Sequence, residues 1–135
     1  GRAVIGASDA GAHLDLLATF NYPTRVLAEP VRQHGLLSLE EAIHRMTAVQ
    51  ADLYGLVDRG RLVEGAHADV ILIDEATVDS DPVAMRPDLP GGAARLYAGA
   101  TGIDDVLVAG VPVVADGAFT KYRPGRVLRS GTDSR

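Results

Sequence analysis

The sequence contains no cysteine. Disulfides, thiolate metal sites and cysteine nucleophiles are therefore excluded within this chain, and the absence fits a cytoplasmic protein. Aromatic residues make up only 4% of the chain, so any core must be built from Ala, Val, Leu and Ile. Positive charge is in deficit, with a formal net charge of −5. That argues against nucleic acid as a partner, because binding a phosphate backbone needs a basic footprint. The local basic group at the C-terminal end, Lys121, Arg123, Arg126, Arg129 and Arg135, reads as a solvated tail. No apolar run is long enough to span a bilayer, and the start shows no signal-peptide pattern, so no membrane partner is expected. Several catalytic signatures are also missing: there is no P-loop, no G-x-G-x-x-G, no G-x-S-x-G, no H-x-H and no H-E-x-x-H.

What is present is a 135-residue chain with 47% hydrophobic residues, enough for a modest domain with a real core. The chain has no initiating Met and opens on an apolar run, Ala3-Val4-Ile5, that reads as a short buried parallel strand. Such a strand needs neighbours on both sides, and the pattern offers no other strand before about residue 69. The expectation is the C-terminal part of a longer protein, with the partner strands upstream.

Gly6 and Ala7 end the run, and the loop that follows carries Ser8, Asp9, His13 and Asp15 among small residues. In barrels of parallel strands, catalytic side chains are mounted at the C-terminal ends of strands. An isolated Asp in such a loop is more often a turn residue bonded to its own backbone. Four His occur, at 13, 34, 44 and 67, and only His13 shares a loop with a candidate catalytic group.

Beyond the loop, Pro23 opens a helix that Gly35 stops, with Pro30 expected to kink or split it. Ser38-Leu-Glu-Glu41 is a capping box for a helix over 39–46, and Thr47-Ala-Val-Gln50 repeats the pattern for a helix over 48–54 closed by Gly55. The periodicity then changes. Asp58-Arg59-Gly60 reads as a turn, Leu62-Val63 as a short strand and Asp69–Asp74 as a strand with an unbroken apolar centre. Residues 75–102 are weakly patterned. Residues 105–115 read as a hairpin about Gly110, Pro112 implies that its second strand is at an edge or begins there, and Asp116-Gly117 is a further tight turn. Residues 130–135 read as a frayed tail.

Taken together, Ser8-Asp9-Ala-Gly-Ala-His13, the capped helices with Met46-Thr47 and Leu53-Tyr54-Gly55-Leu56, Asp58-Arg59-Gly60, the run from Gly65 to Asp74 and the hairpin from Val106 to Val114 resemble the metal-dependent amidohydrolase superfamily, and the ending Gly125-Arg126-Val127-Leu128-Arg129 resembles that of its N-acyl-D-amino-acid deacylase (D-aminoacylase) group. The D-R-G and A-D-(apolar)-D patterns fall in order and spacing over nearly the whole chain. The resemblance implies an α/β protein: the C-terminal fragment of a TIM-like (β/α)8 barrel, its last strand and helices, plus part of a small β-sandwich. Residues 1–57 would be the last barrel strand, active-site loop and helices, 58–129 the sandwich portion and 130–135 the tail.

The resemblance further implies that Asp9 is the catalytic carboxylate at the end of the last barrel strand, beside or on a divalent metal, usually zinc, whose other ligands lie outside this chain. Zinc-bound water has a pKa near ~7, and a neighbouring carboxylate can take its proton and pass it to the leaving amine. Ser8 and His13 are candidates for substrate contact. Asp69 and Asp74 are expected to hold turns. The expected activity is hydrolysis of a carbon–nitrogen amide bond, N-acyl-amino-acid deacylation, by the full-length protein. The expected partners are the upstream part of the same protein, a small N-acyl or amide substrate, and, as an open option, a second copy of the chain. Two alternatives remain at this level: a non-catalytic β-rich binding or assembly module, and the same fold acting on a cyclic amide or carbamoyl substrate.

Overall fold

The computed structural model describes residues 4–134; Gly1, Arg2, Ala3 and Arg135 lie outside them. Helices occupy the first part of the chain and antiparallel strands the second. The helical part starts with a 3-10 turn at Thr19–Asn21 and α1 at Tyr22–Val26, with Pro23 in its first turn. This runs without a break into a π-helical stretch, Leu27–Gln33, which contains Pro30. Pro30 was expected to kink or split the helix, and the helix continues through it in the π form. Pro30 has no N–H to return to the preceding turn, and the backbone widens instead, so that the His34 N–H reaches the Glu29 carbonyl at 3.0 Å, five residues back. Gly35, at φ +57°, stops the helix as expected.

Helix α2 spans Leu39–Met46, and the Ser38 hydroxyl accepts from the Glu41 N–H at 3.2 Å. The reciprocal half of the expected box is not made, because the Glu41 carboxylate accepts from Arg45 Nε at 2.6 Å. Helix α3 spans Ala48–Leu53 without a side-chain cap. Thr47, expected to cap it, turns its hydroxyl back to donate to the Ile43 carbonyl at 2.7 Å.

The strands are β1 (Val70–Ile73), β2 (Asp79–Ser80), β3 (Ala84–Arg86), β4 (Arg95–Tyr97), β5 (Ala100–Thr101), β6 (Ile103–Val108), β7 (Val111–Ala115) and β8 (Ala118–Phe119). A four-stranded sheet has the order β1-β6-β7-β8. Between β1 and β6 the chain makes an arm of two short ladders, β2 with β5 and β3 with β4. This arm is what the sequence shows only as the weakly patterned segment 75–102. Leu62-Val63, expected as a strand, is exposed and unpaired. Of the two placements Pro112 allowed, an edge strand or a strand that begins there, the second is found: β7 is an inner strand whose second residue is Pro112. Pro112 is tolerated because β8 pairs only with Val114 and Ala115, and because the β6–β7 register already shifts between Val106 and Leu107.

The fold was expected to be a barrel fragment whose partner strands lie upstream, with its last strand over 3–7, a range that begins outside the described residues. The described residues are mixed helix and antiparallel sheet, no barrel is seen among them, and residues 4–7 pair with no strand. A buried parallel strand needs partners on both sides; here the Ile5 carbonyl accepts from the Gln50 side-chain amide instead. Residues 130–134 do not fray: the Asp133 carbonyl accepts from the Val57 N–H at 3.0 Å, its carboxylate pairs with Arg126 at 2.6 Å, and Ser134 bridges Leu56.

The core joins both halves. Leu27 and Val31 from the π-helical stretch and Ala42 from α2 pack with Val78, and Met46, Ile73 and Ile103 close around them. Val78 reaches this position because Asp74 builds the turn after β1. The Asp74 carbonyl accepts from Thr77 and Val78, and its carboxylate from the Ala76 N–H at 3.0 Å and the Thr77 hydroxyl at 2.6 Å.

Candidate active site

Asp9 lies in the loop between the unpaired residues 4–7 and the first helical turn. Small residues shape this loop. A Cβ at Gly6 would overlap the Gln50 amide, so glycine is what lets Gln50 reach the Ile5 carbonyl. Gly11 has φ +102°, which a side chain would strain, and it sits within the turn closed by the Ala12 N–H on the Asp9 carbonyl at 3.1 Å. A second turn follows, in which the His13 carbonyl accepts from Leu16 and Leu17 at 3.1 and 2.9 Å. The far side of the loop is pinned from the arm: the Leu96 N–H of β4 donates to the Leu14 carbonyl at 2.7 Å.

The structure places Ser8, Asp9 and His13 on this one exposed loop, with no hydrogen bond among their side chains in the described residues. The Ser8 hydroxyl accepts from the Ala10 N–H at 3.3 Å, and its own hydrogen stays available to donate. The Asp9 carboxylate has no hydrogen-bond partner among the described residues. His34, His44 and His67 lie on other elements. Among the described residues no group of three or more His, Cys, Asp or Glu side chains could hold a metal ion. The donor set of this chain alone therefore does not fit a divalent metal; Asp9 offers at most one carboxylate.

The sequence reading missed a cleft beside this loop. It encloses about 350 Å3 between Ala10, Gly11, Leu14 and Phe20 on one side and Leu96 and Tyr97 of β4 on the other. The Phe20 and Tyr97 rings lie 6.5 Å apart, centroid to centroid. Arg86 stacks on the outer part of the wall, 3.7 Å from the Tyr97 centroid. Arg95 is held in a two-bond fork on the Asp88 carboxylate at 2.7 and 2.8 Å. That fork holds the Asp88 carboxyl below its ordinary range. The only sequence signal for this wall was the short run Arg95-Leu-Tyr97, too brief to read as a strand.

The other signature residues are structural. Arg59 pairs with the Asp69 carboxylate, whose other oxygen accepts from the Ala109 N–H at 2.9 Å, in the turn between β6 and β7. One carboxylate thus ties the D-R-G turn to the hairpin. Gly60, at φ +76°, passes so close to α3 that a Cβ would come within 2.8 Å of Ala51 Cβ and 2.9 Å of the Thr47 carbonyl.

The chain thus carries an exposed loop carboxylate, the helices that follow it and a sheet tied to them through the D-R-G turn. The chain belongs to the amidohydrolase family, whose model matches residues 1–114. It is 42% identical over 122 residues to N-acyl-D-glutamate deacylase of Alcaligenes xylosoxydans xylosoxydans, covering 90% of this chain and 22% of that protein. A crystal structure of D-aminoacylase matches 74% of this chain and 19% of its own at 36% identity, with a TM-score of 0.59. N-acyl-D-glutamate deacylase from Bordetella bronchiseptica, in complex with zinc and a phosphonate mimic of the tetrahedral intermediate, matches 79% and 20% at 40% identity, with a TM-score of 0.53. The chain thus spans about a fifth of the length of these relatives.

Proposed function

We propose that this chain is the Asp9-bearing part of a hydrolase that cleaves the amide bond of N-acyl amino acids, D-enantiomers included. The observation that carries the reading is the Asp9 carboxylate: exposed, without a partner among the described residues, and mounted on a loop pinned at Ile5 and Leu14 in a chain 42% identical to a deacylase. A short ionised carboxylate in that position accepts a proton from the attacking water and returns it to the leaving nitrogen as the tetrahedral intermediate collapses. Asn would keep the shape and lose the base. The Ser8 hydroxyl and the His13 imidazole, on the same loop, are proposed to contact the substrate. A divalent metal, zinc as in the Bordetella relative, would need its other ligands from outside this chain. The upstream part of the same protein is the proposed partner that supplies them.

The test is the full-length protein assayed on N-acetyl amino acids of both hands, a cyclic amide and a carbamoyl amino acid. Hydrolysis of the N-acetyl amino acids ahead of the other two supports the reading. Preference for the cyclic amide or carbamoyl compound would keep the fold and change the substrate, and no hydrolysis of any of them would favour a binding or assembly module.

A further inference from the structure

Among the described residues, two hydrogen bonds tie the Asp9 loop to distant parts of the chain, and they hold different halves of it. The far half, with His13, is fixed by the Leu96 N–H on the Leu14 carbonyl at 2.7 Å. The near half, which leads into Ser8 and Asp9, is held by the side-chain amide of Gln50 on the Ile5 carbonyl. Both hydrogens of that amide have an acceptor, because Nε2 also faces the Arg45 carbonyl at 3.4 Å, near the C-terminal end of α2. Two carbonyls beside one nitrogen leave the amide a single orientation, since its oxygen has no donor to meet there.

Helix α3 gives Gln50 a firm base. Ala48 and Ala51 on the same helix are buried. Gly60 of the D-R-G turn lies so close to Thr47 and Ala51 that no side chain would fit between. Arg59 of that turn pairs with Asp69, whose carboxylate also takes the Ala109 N–H. A line of contacts therefore runs from the β6–β7 hairpin through the D-R-G turn and α3 to Ile5, just ahead of Asp9. Gly6 completes the fit, because the space of its missing Cβ is filled by the Gln50 amide. Gly6 is outside the left-handed region, so it is the lack of a side chain, and not backbone freedom, that the position uses.

We propose that Gln50 is a positioning residue for the reaction: by holding Ile5 across the gap at Gly6, it sets the Asp9 carboxylate where the proton is transferred. The proposal rests on the deacylase reading above and goes beyond it by giving Gln50 a task in turnover. Displacing a reacting group by about 1 Å can cost about 10²-fold in rate. The Leu14 contact keeps the His13 half of the loop in place without Gln50, so the loss falls on kcat more than on KM.

The full-length protein should be compared with its Gln50→Ala, Gly6→Ala and doubly substituted variants on N-acetyl amino acids, by steady-state kinetics, bound zinc and thermal melting. Gly6→Ala pushes the amide off Ile5 without removing it, so it probes the same contact should Gln50→Ala fail to fold. Each single substitution should lower kcat by about 10–100-fold, with a much smaller change in KM and no loss of zinc. The double variant should be no slower than Gln50→Ala alone, because a Cβ at position 6 then has no amide to displace. Wild-type kcat in the single variants overturns the positioning role and leaves the deacylase reading standing. Losses confined to KM, zinc content or melting temperature, or losses that multiply in the double variant, overturn it as well. No hydrolysis by the wild type overturns both.

Discussion

Three acidic residues of the signature stretches separate into two kinds by what their carboxylates touch. Those of Asp69 and Asp74 take backbone, hydroxyl or guanidinium donors and hold turns. The Asp9 carboxylate takes none among the described residues, although its backbone carbonyl closes a turn. In the full-length protein, Asp9→Asn should therefore cut kcat by about 10²–10⁴-fold, the range for loss of a positioned acid–base group, while thermal melting stays where it was; near-normal turnover would remove Asp9 from the chemistry. Asp74 makes the opposite prediction. Its carboxyl is held below the ordinary value of 3.8, first by the Thr77 hydroxyl and then by the Ala76 N–H. A native pKa below the unfolded one means that the unfolded chain binds more protons in between, so stability rises with pH across that window. Asp74's contribution is complete above the ordinary value and is lost as pH falls through the lower native one. The melting temperature of wild type should thus exceed that of Asp74→Asn near neutrality, and the difference should shrink as the pH is lowered below 3.8. A difference that does not change with pH would mean that the charge on Asp74 is not what holds the turn.

At the scale of elements, what could be read in the sequence follows the strength of local chemistry. Helix α2 is bounded as its pattern demands, with Ser38 as its cap, and Ser38→Ala should cost about 0.5–2 kcal/mol in stability. Chemical denaturation of the wild type and variant measures this directly; no loss would mean that the Glu41 N–H finds water at no cost. The hairpin of β6 and β7 was legible because Ala109 and Gly110 (φ +50° and +77°) form the two-residue turn that strands joined this way require. Three features were hidden for three physical reasons. The arm of β2–β5 has strands of two or three residues, too short for alternation to show. The π-helical stretch depends on how the chain accommodates Pro30, which propensity does not encode. Thr47 had a choice between the N–H groups ahead of it and the Ile43 carbonyl behind it, and the carbonyl won. The Asp9 loop itself was visible as a run of small residues around a carboxylate. Its opposite wall, Arg95 to Tyr97, was not, because it comes from a segment some eighty residues away with no motif of its own.

The whole molecule has a small core and a large uncovered apolar surface. Among the described residues only Leu27, Ala28, Val31, Ala42, Ala48, Ala51 and Val78 are buried apolar residues, and only three of them are larger than alanine: Leu27 and Val31 from the π-helical stretch and Val78 from the turn after β1. Leu62, Val63, Ile71, Leu72, Phe119 and Val127 are all exposed by 46% or more. Large apolar surfaces of this kind ordinarily mark a covered face, and relatives about five times as long provide enough chain to cover it. Chemistry points the same way: one loop carboxylate cannot coordinate a divalent metal tightly when no group of three candidate ligands exists among the described residues. The isolated 135-residue chain should therefore bind a hydrophobic dye strongly, retain no zinc after dialysis and hydrolyse no N-acyl amino acid, whereas the full-length protein should do the reverse on all three counts. Zinc retained by the isolated chain at about one ion per molecule, together with amide hydrolysis, would show that the site is complete within these residues. The proposed division of labour, in which this chain supplies the base while the upstream part supplies the metal ligands, would then be wrong.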